Sequence, residues 1–381
     1  MLALQPDPVN GFRQVVGVGG IGSGIVFALE GEQTLGRNES RLGKLLDARD
    51  YCKLHIVQHY IARFMGAGKV PSTFEVVPIG VIGGDSVGRQ LREEMETAGL
   101  DARLVRTDCK ARTLFSVCFV YPDGSGGNIT TNNSAASAIG NTDLQAAQVL
   151  MKNAGPRGIA LCLPEVPLEV RHEFLRIARE CGNFSAASFV SLEIVPAREM
   201  NLYASLDLLA LNKEEAAALV GHPFDANQID RFLKDCSAAL MALQPNIRIV
   251  LTAGERGAYG FENGKWQFCP APPVSAVSTA GAGDALLAGI LSGLSAGLPF
   301  LPTVPPSGAF VKRPLRAALD LGVLTASFGV TSPHTIHPEA SLSAIFAFAE
   351  LHGIEICEEI RAMCHEVGVD SALAREQLRG T

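Results

Sequence analysis

Apolar residues follow two patterns along the chain, short continuous runs and longer segments with helical spacing. Runs such as Phe74–Ile82 and Ile247–Leu251 end at glycine, proline or polar residues, which is typical of strands buried on both faces. The segment Leu168–Cys181 carries apolar residues at helical intervals and predicts a helix. Strand-like and helical segments alternate from about residue 158 onward. This order predicts an α/β fold, with a mostly parallel central sheet between two layers of helices.

Shorter β-favouring runs predict a second, smaller sheet. Ile25–Leu29 reads as a strand that projects beyond the glycine turn after the first core strand. Thr113–Val120 and Asn128–Thr131 flank a turn rich in Pro, Gly and Asp, and predict a hairpin.

Three further stretches complete the predicted organisation. Residues Leu42–Met65 have a helical pattern. The stretch Gly297–Pro314 is rich in Pro, Gly and Ser and predicts a surface insertion. The tail 340–381 contains two amphipathic stretches and predicts a helical C-terminal extension.

Composition and charge narrow the class of partner. The 381 residues are 47% hydrophobic and 19% charged, enough for one large buried core. A net charge of −7 argues against nucleic acid or an anionic membrane as the main partner and favours a small-molecule substrate. Without an apolar leader or membrane-spanning run, the chain is expected to be cytoplasmic. The nine cysteines and eight histidines show no metal-ligand spacing, so we expect no metal held by protein ligands alone.

A turn of small residues, Ser278–Gly283, runs directly into an apolar helix. Glycines let backbone N–H groups approach a ligand, and the start of a helix adds the positive end of its dipole, so the turn predicts a phosphate site. Asp284 follows this turn. It could act as a general base, or it could supply favourable negative charge to the first helical turn.

An alternative activity comes from a second glycine motif near the N-terminus. Gly17–Gly22 matches G-x-G-x-x-G after a strand, the pattern of dinucleotide-binding folds, and motivates the hypothesis of an NAD-dependent enzyme. Glu39 lies where the ribose-binding acid is expected. However, the motif runs into the β-favouring Ile25–Leu29 instead of a helix.

The sequence from Ser278 to Asp284 resembles the signature of the ribokinase-like (PfkB) carbohydrate kinases, with Ser278 in place of the first Asp of that signature. The resemblance implies one kinase domain over residues 12–381, of three-layer α/β/α architecture. Residues 25–40 and 108–131 would form an inserted β lid, which in the family is often the dimer contact. It also implies ATP-dependent phosphorylation of an alcohol, with Mg²⁺. Asp284 would take the hydroxyl proton, while Gly281, Ala282 and Gly283 would hold the transferring phosphoryl group.

The nucleotide half of the family pattern is well matched. Asn212 and Glu215 form an N-x-x-E that would arrange water and Mg²⁺ around the phosphates, and this pair is also a complete helix capping box. A T-x-G-x-x-G stretch follows the next strand, and a later small-residue helix supplies one wall of the adenine pocket. The predicted nucleotide-binding residues are Asn212, Glu215, Thr252, Gly254, Gly257, Thr279 and Val323.

The sugar-binding half departs from the family pattern. Gly24 (or Gly22) stands where the family places an Asp, and Tyr51–His55 replaces a glycine pair, so the substrate pocket has changed. Lys53 and His55 either bind an anionic group of the substrate or form the solvent-exposed side of a helix. Glu165 ends a strand, where open α/β sheets place their ligands. The candidate substrate-binding residues are Gly24, Lys53, His55, Arg112, Asn132 and Glu165.

These observations leave several functions open. A sugar is the default acceptor, a nucleoside kinase is an alternative, and the altered pocket also allows a nucleotide-binding protein without catalysis. A homodimer through the lid is expected from the resemblance. The sequence does not identify the sugar.

Overall fold

The computed structural model describes residues 1–31, 33–69, 73–122, 126–302 and 314–368. Most of the predicted insertion 297–314 and residues 369–381 of the predicted extension lie outside them. The described strands are β1 Leu2–Leu4, β2 Gln14–Val18, β3 Gly22–Leu29, β4 Gly43–Tyr51, β5 Glu75–Gly83, β6 Val105–Asp108, β7 Leu114–Val120, β8 Gly126–Thr130, β9 Gly158–Cys162, β10 Phe184–Ser188, β11 Leu208–Leu211, β12 Arg248–Thr252, β13 Gly257–Glu262, β14 Lys265–Pro270 and β15 Cys364–Glu366. The described α-helices are α1 Lys53–Met65, α2 Ser86–Ala98, α3 Asn141–Ala154, α4 Leu168–Glu180, α5 Ile194–Glu199, α6 Lys213–Val220, α7 Ile229–Met241, α8 Ala282–Ser295, α9 Ala318–Gly329, α10 Leu342–Leu351 and α11 Glu358–Ala362.

A nine-stranded sheet forms the centre, in the order β14-β13-β12-β11-β10-β9-β2-β5-β6. The strands from β12 to β6 are parallel, and β13 and β14 continue the sheet antiparallel. Successive residues of β2 point to opposite faces, so Val15 packs in one buried cluster and Val16 in another. The first cluster contains residues of α1, α2, α8, α9 and α10, and the second residues of α3 to α7. The predicted three-layer α/β/α fold is confirmed.

A separate four-stranded sheet, in the order β4-β3-β7-β8, contains β3 and the hairpin β7–β8 of the predicted lid together with β4. The prediction of one helix over Leu42–Met65 was wrong in its first part, because residues 43–51 form β4 and the helix begins at Lys53. The apolar residues of this stretch instead join β3 antiparallel, with Leu45 opposite Phe27. Pairing along β3 therefore overrides the local helical pattern.

The first strand pairs with a strand near the end of the described residues, which the apolar pattern does not predict. β1 pairs antiparallel with β15, with Ala3 opposite His365, so residues before Gln14 are tied to the C-terminal part of the chain. The described part of the predicted helical extension holds α10, α11 and β15. None of the described helices is long and apolar enough to cross a membrane.

The N-terminal glycine motif does not have the structure that dinucleotide binding requires. Gly17 lies within β2 and Gly22 opens β3, so a strand and not a helix follows the motif. A Cβ at Gly17 would lie 2.5 Å from the Gln58 amide, and one at Gly19 would lie 3.0 Å from the Leu54 side chain. These glycines admit α1 close to β2. The interpretation as an NAD site is wrong.

Candidate functional site

The turn before α8 has the backbone geometry of an anion site. Gly281 has φ 77°, in the left-handed region, and is the N-cap of α8. A Cβ at Gly281 would also lie 2.7 Å from the carbonyl oxygen of Thr335. The left-handed φ and this close contact both disfavour a side chain at this position. The first helical hydrogen bond runs from Ala285 N to Gly281 O at 2.9 Å. The N–H groups of Gly283 and Asp284 precede it and have no intrahelical acceptor.

Gly283 opens this turn to solvent. It is exposed, and a Cβ added there would meet no atom within 4 Å. A ligand can therefore approach the free N–H groups of the first helical turn, where the helix dipole favours negative charge. The turn can hold a phosphate.

Asp284 follows Gly283 in the chain and is only 6% exposed. Its Oδ1 atom is 3.5 Å from Nζ of Lys53, the first residue of α1. Burial raises the pKa of Asp284, and the Lys53 ammonium acts against that rise. A buried carboxyl group beside one lysine, whose charge favours the ionised form, is suited to accept a proton.

Lys53 stands among several carboxylates. Its charge also lowers the pKa values of Glu165 and Glu215, although burial, the larger effect, raises the pKa of each to about 7. Those carboxylates in turn raise the pKa of Lys53. The interpretation of Lys53 as a solvent-exposed residue or an anion ligand is therefore incomplete, because in the structure it pairs with Asp284.

Glu165 follows β9 on the loop after the strand's carboxyl end. It has φ 74°, unusual for a residue with a side chain, and its Oε2 atom is enclosed with no hydrogen-bond partner in the described part of the chain. A Cβ at Gly20 would lie 2.4 Å from the Cβ of Glu165, so glycine at position 20 makes room for it. A strained backbone and an unpaired carboxylate oxygen are features of ligand sites.

Sequence reasoning missed Asp50 in β4, which reaches across Gly24 of β3 to Ser116 of β7. Ser116 Oγ donates to Asp50 Oδ2 at 2.5 Å, and Cys118 Sγ lies 3.2 Å from the same oxygen. A Cβ at Gly24 would lie 2.1 Å from Ser116 Oγ and 2.6 Å from Asp50 Oδ2. Asp50 therefore occupies the space that Gly24 leaves empty. The helical pattern of residues 43–51 gives no reason to place Asp50 opposite Gly24.

The predicted nucleotide residues lie at the ends of adjacent strands. Asn212 follows β11 and caps α6, accepting from Glu215 N at 2.7 Å while Glu215 Oε2 accepts from Asn212 N at 2.8 Å. Thr252 ends β12, the neighbouring strand, and Gly254 and Gly257 follow with φ 64° and 124°. The structure thus brings the two motifs together at one edge of the sheet.

The other predicted residues are placed differently. His55 is 1% exposed and faces a cavity between α1 and α2, so its interpretation as part of a solvent-exposed helix face was wrong. Arg112 and Asn132 are exposed at the ends of the hairpin, and Thr279 is exposed just before the glycine turn. Val323 is 2% exposed in α9, within the core. Their roles in binding stay predictions.

No group of three or more His, Cys, Asp or Glu side chains in the described residues is arranged to hold a metal ion. The carboxylates at this edge suit Mg²⁺, which prefers oxygen ligands and keeps several waters and substrate phosphates around it. The candidate carboxylate is Glu215 at the start of α6, whose Oε2 atom already accepts from Asn212 N.

Comparisons with known proteins place these features in a family. The model described as "pfkB family carbohydrate kinase" matches residues 59–341. A fructokinase from Klebsiella pneumoniae is 28% identical over 236 residues, covering 58% of this chain and 72% of the relative.

Solved structures share the fold at low sequence identity. A ribokinase from Cryptococcus neoformans in complex with ADP has a TM-score of 0.66 and 19% identity, covering 88% of this chain and 99% of that one. A ribokinase from Giardia lamblia has a TM-score of 0.67 and 12% identity, covering 84% and 94%.

Proposed function

Because the chain belongs to the pfkB family of carbohydrate kinases, we propose that it transfers the terminal phosphoryl group of ATP to a hydroxyl group of a neutral sugar or similar polyol. The observation that carries this proposal is the position of Asp284. Its carboxylate is buried, belongs to the residue that follows the open glycine turn, and is paired with Lys53 at 3.5 Å. A hydroxyl group held between the Asp284 carboxylate and the glycine turn would lie next to both a proton acceptor and an anion site.

In the proposed reaction the carboxylate of Asp284 accepts the hydroxyl proton as the hydroxyl oxygen attacks the terminal phosphorus of ATP. The P–O bond to ADP breaks, and ADP leaves. Negative charge on the transferring group would be stabilised by the N–H groups of Gly283 and Asp284 and by the dipole of α8. The charge of Lys53 favours the ionised form of Asp284. Residues Asn212, Glu215, Thr252, Gly254 and Gly257 would line the ATP side.

Mg²⁺ would be held by the ATP phosphates and, through water, by Glu215, and when bound it supplies charge neutralisation for the phosphates. Glu215 itself keeps the start of α6 in place through its bond to Asn212 N. This structural role would fix the position of the phosphate-facing end of the helix.

The neutral character of the proposed acceptor follows from charge. Asp50, Glu165 and Asp284 interact electrostatically, since the Asp50 charge raises the pKa of both other carboxyls. Carboxylates accept hydrogen bonds from hydroxyl groups and repel an anionic substrate. Three acidic side chains that interact with one another, with one lysine paired to Asp284, therefore favour a polyol over a substrate that already carries a phosphate or carboxylate. A nucleoside kinase is the alternative of the same chemistry.

The proposal is tested by screening neutral sugars, sugar phosphates and nucleosides for ADP release with the wild-type chain and with Asp284→Asn. A general base contributes roughly 10²- to 10⁴-fold, so we expect kcat to fall by that amount while ATP binding is kept. Asp235→Asn, at a half-exposed pair with His222, is the matched control and should leave turnover unchanged. Undiminished turnover in Asp284→Asn would reject Asp284 as the base.

A further inference from the structure

The cavity that His55 faces lies between α1, α2 and the segment before α10, and the proposed reaction does not use it. Its volume is about 670 Å³. His55, His59 and Arg63 lie at four-residue intervals on α1 and therefore share the helix face that lines it. The lining from the other elements includes Arg49, Gln90, Glu93, Thr97, His334 and His337.

The buried histidines of α1 lack partners. His55 is 1% exposed, and neither of its ring nitrogens is hydrogen-bonded within the described residues; Nδ1 of His59 is likewise buried and unpaired there. Burial lowers the pKa of both rings, that of His59 to about 4, so each is neutral and offers one donor and one acceptor. Unpaired buried polar groups are costly, so a polar occupant of the cavity would stabilise them.

The segment 334–337 adds hydrogen-bond donors. His334 Nδ1 accepts from Arg49 N at 2.9 Å, and His337 Nδ1 accepts from Glu339 N at 3.1 Å. A nitrogen that accepts carries no proton, so the proton of each ring lies on Nε2, which presents a donor. Both residues line the cavity.

Arg63 supplies the positive charge. Its Nε atom donates to Ala340 O at 3.1 Å, and the guanidinium makes no ion pair with any residue that the structure describes. Arg49, by contrast, is paired with Glu94 at 2.7 Å. Arg63 therefore keeps its remaining donors for a ligand, and a guanidinium matches the oxygens of a phosphate group.

We propose that this cavity binds a small phosphate monoester that carries hydroxyl groups, at a site separate from the phosphoryl-transfer centre. Arg63, His334 and His337 would contact the phosphate. On the α2 side, Gln90 and Glu93 offer acceptors for hydroxyl groups. The volume exceeds that of a bare phosphate ion, which leaves room for a short polyol.

Both walls of the cavity continue into the proposed reaction centre. α1 begins at Lys53, the partner of Asp284, and Thr335 accepts from Tyr51 N through Oγ1 at 3.0 Å while its carbonyl faces Gly281. A ligand that holds these walls together would shift the residues on which acceptor binding depends. This part of the inference rests on the proposed function, whereas binding itself does not.

Binding is tested by calorimetry with glycerol 3-phosphate and inorganic phosphate as probes on the full chain. We expect the ester to bind and Arg63→Gln to weaken its binding at least about tenfold, as loss of a charged hydrogen bond does. Thr97→Trp, which fills the cavity from the exposed face of α2 without removing a proposed contact, should weaken it similarly. Arg179→Gln, at an exposed arginine of α4, and Asp284→Asn should leave this binding unchanged.

Binding that is absent at millimolar concentration, or equal in wild type, Arg63→Gln and Thr97→Trp, would overturn the site. Inorganic phosphate that binds as tightly as the ester would overturn the role given to hydroxyl groups. Coupling requires that glycerol 3-phosphate change the acceptor KM in wild type and not in Arg63→Gln, and an equal change in both would overturn it. Loss of the proposed kinase activity alone would leave the calorimetric result standing, so the two failures are distinguishable.

Discussion

Lys53 Nζ lies 3.5 Å from Asp284 Oδ1, although 231 residues separate the two in the chain. Lys53 opens α1 and Asp284 lies in the first turn of α8, so the contact joins the helix that follows the lid to the helix that follows the glycine turn. The charge of Lys53 also reaches Glu165 and Glu215. One lysine therefore opposes the effect of burial on three acidic side chains around the proposed reaction centre.

Replacing Lys53 with Met should make catalysis dependent on higher pH. Lys53 lowers the pKa of Asp284, so its removal raises that pKa, and a larger fraction of Asp284 is then protonated at neutral pH. We expect kcat/KM at pH 7 to fall at least about tenfold and to recover partly as the pH is raised, because a one-unit pKa shift is a tenfold change in protonation. The pH profile of kcat/KM is the measurement. Lys53→Arg keeps the positive charge and should move the acidic limb of the profile less. An equal loss of kcat/KM at every pH in Lys53→Met would contradict the role of Lys53 in lowering the pKa of Asp284.

Placing a methyl group at Gly24 should disturb acceptor binding. The new Cβ would lie 2.1 Å from Ser116 Oγ and 2.6 Å from Asp50 Oδ2, so the Ser116–Asp50 hydrogen bond cannot persist. We expect Gly24→Ala and Asp50→Asn each to raise the acceptor KM by about tenfold or more, because each removes one hydrogen bond to a charged group. The KM for ATP should change less. Gly140→Ala is the control, since nothing lies within 4 Å of its added Cβ. An unchanged acceptor KM in Asp50→Asn would remove Asp50 from the substrate pocket.

Glu165→Gln should stabilise the protein in alkaline solution. The folded-state pKa of Glu165 is about 7, above its ordinary value of 4.5, so between these pH values the folded chain holds a proton that the unfolded chain has released. Wild-type stability from this group is thus lost as pH rises through that window. Because Gln does not titrate, the variant should be more stable at pH 8 by on the order of 1 to 3 kcal/mol, and the difference should vanish near pH 4.5.

Thermal unfolding at the two pH values measures this effect. A gain of equal size at both would indicate a packing effect in place of ionisation. The same variant should bind the sugar substrate less well, because a carboxylate only accepts hydrogen bonds and the amide of Gln replaces one of its oxygens with a donor.

Two glycines of the turn before α8 should respond differently to alanine. Gly283 has open space around its added Cβ, so Gly283→Ala should fold with nearly unchanged stability, yet the methyl group would fill the phosphate cradle and reduce turnover by about tenfold or more. Gly281 has φ 77° and would place its Cβ 2.7 Å from Thr335 O, so Gly281→Ala should lower stability by about 1 kcal/mol or more. Unfolding midpoints and ADP release from the same samples separate the two effects. Full activity in a stable Gly283→Ala chain would contradict the cradle.

Local sequence determined the α/β class, the hairpin of the lid and the glycine turn before Asp284. These features depend on residue type at short range: apolar runs for buried strands, Pro and Gly at turns, and small residues where the backbone must be exposed. The capping pair Asn212 and Glu215 is of the same kind, because both partners lie within one helical turn.

Only the tertiary structure decided which distant side chains share the site. Strand β4 forms because β3 is beside it, and this pairing, unlike the helical pattern of residues 42–51, puts Asp50 over Gly24. The contact between Lys53 and Asp284 and the burial of His55 likewise depend on how α1 packs, which no local pattern encodes. The sequence alone therefore determined where the backbone can bind an anion. Folding decided which charged side chains surround that place, because contacts between residues hundreds of positions apart depend on how the whole core packs.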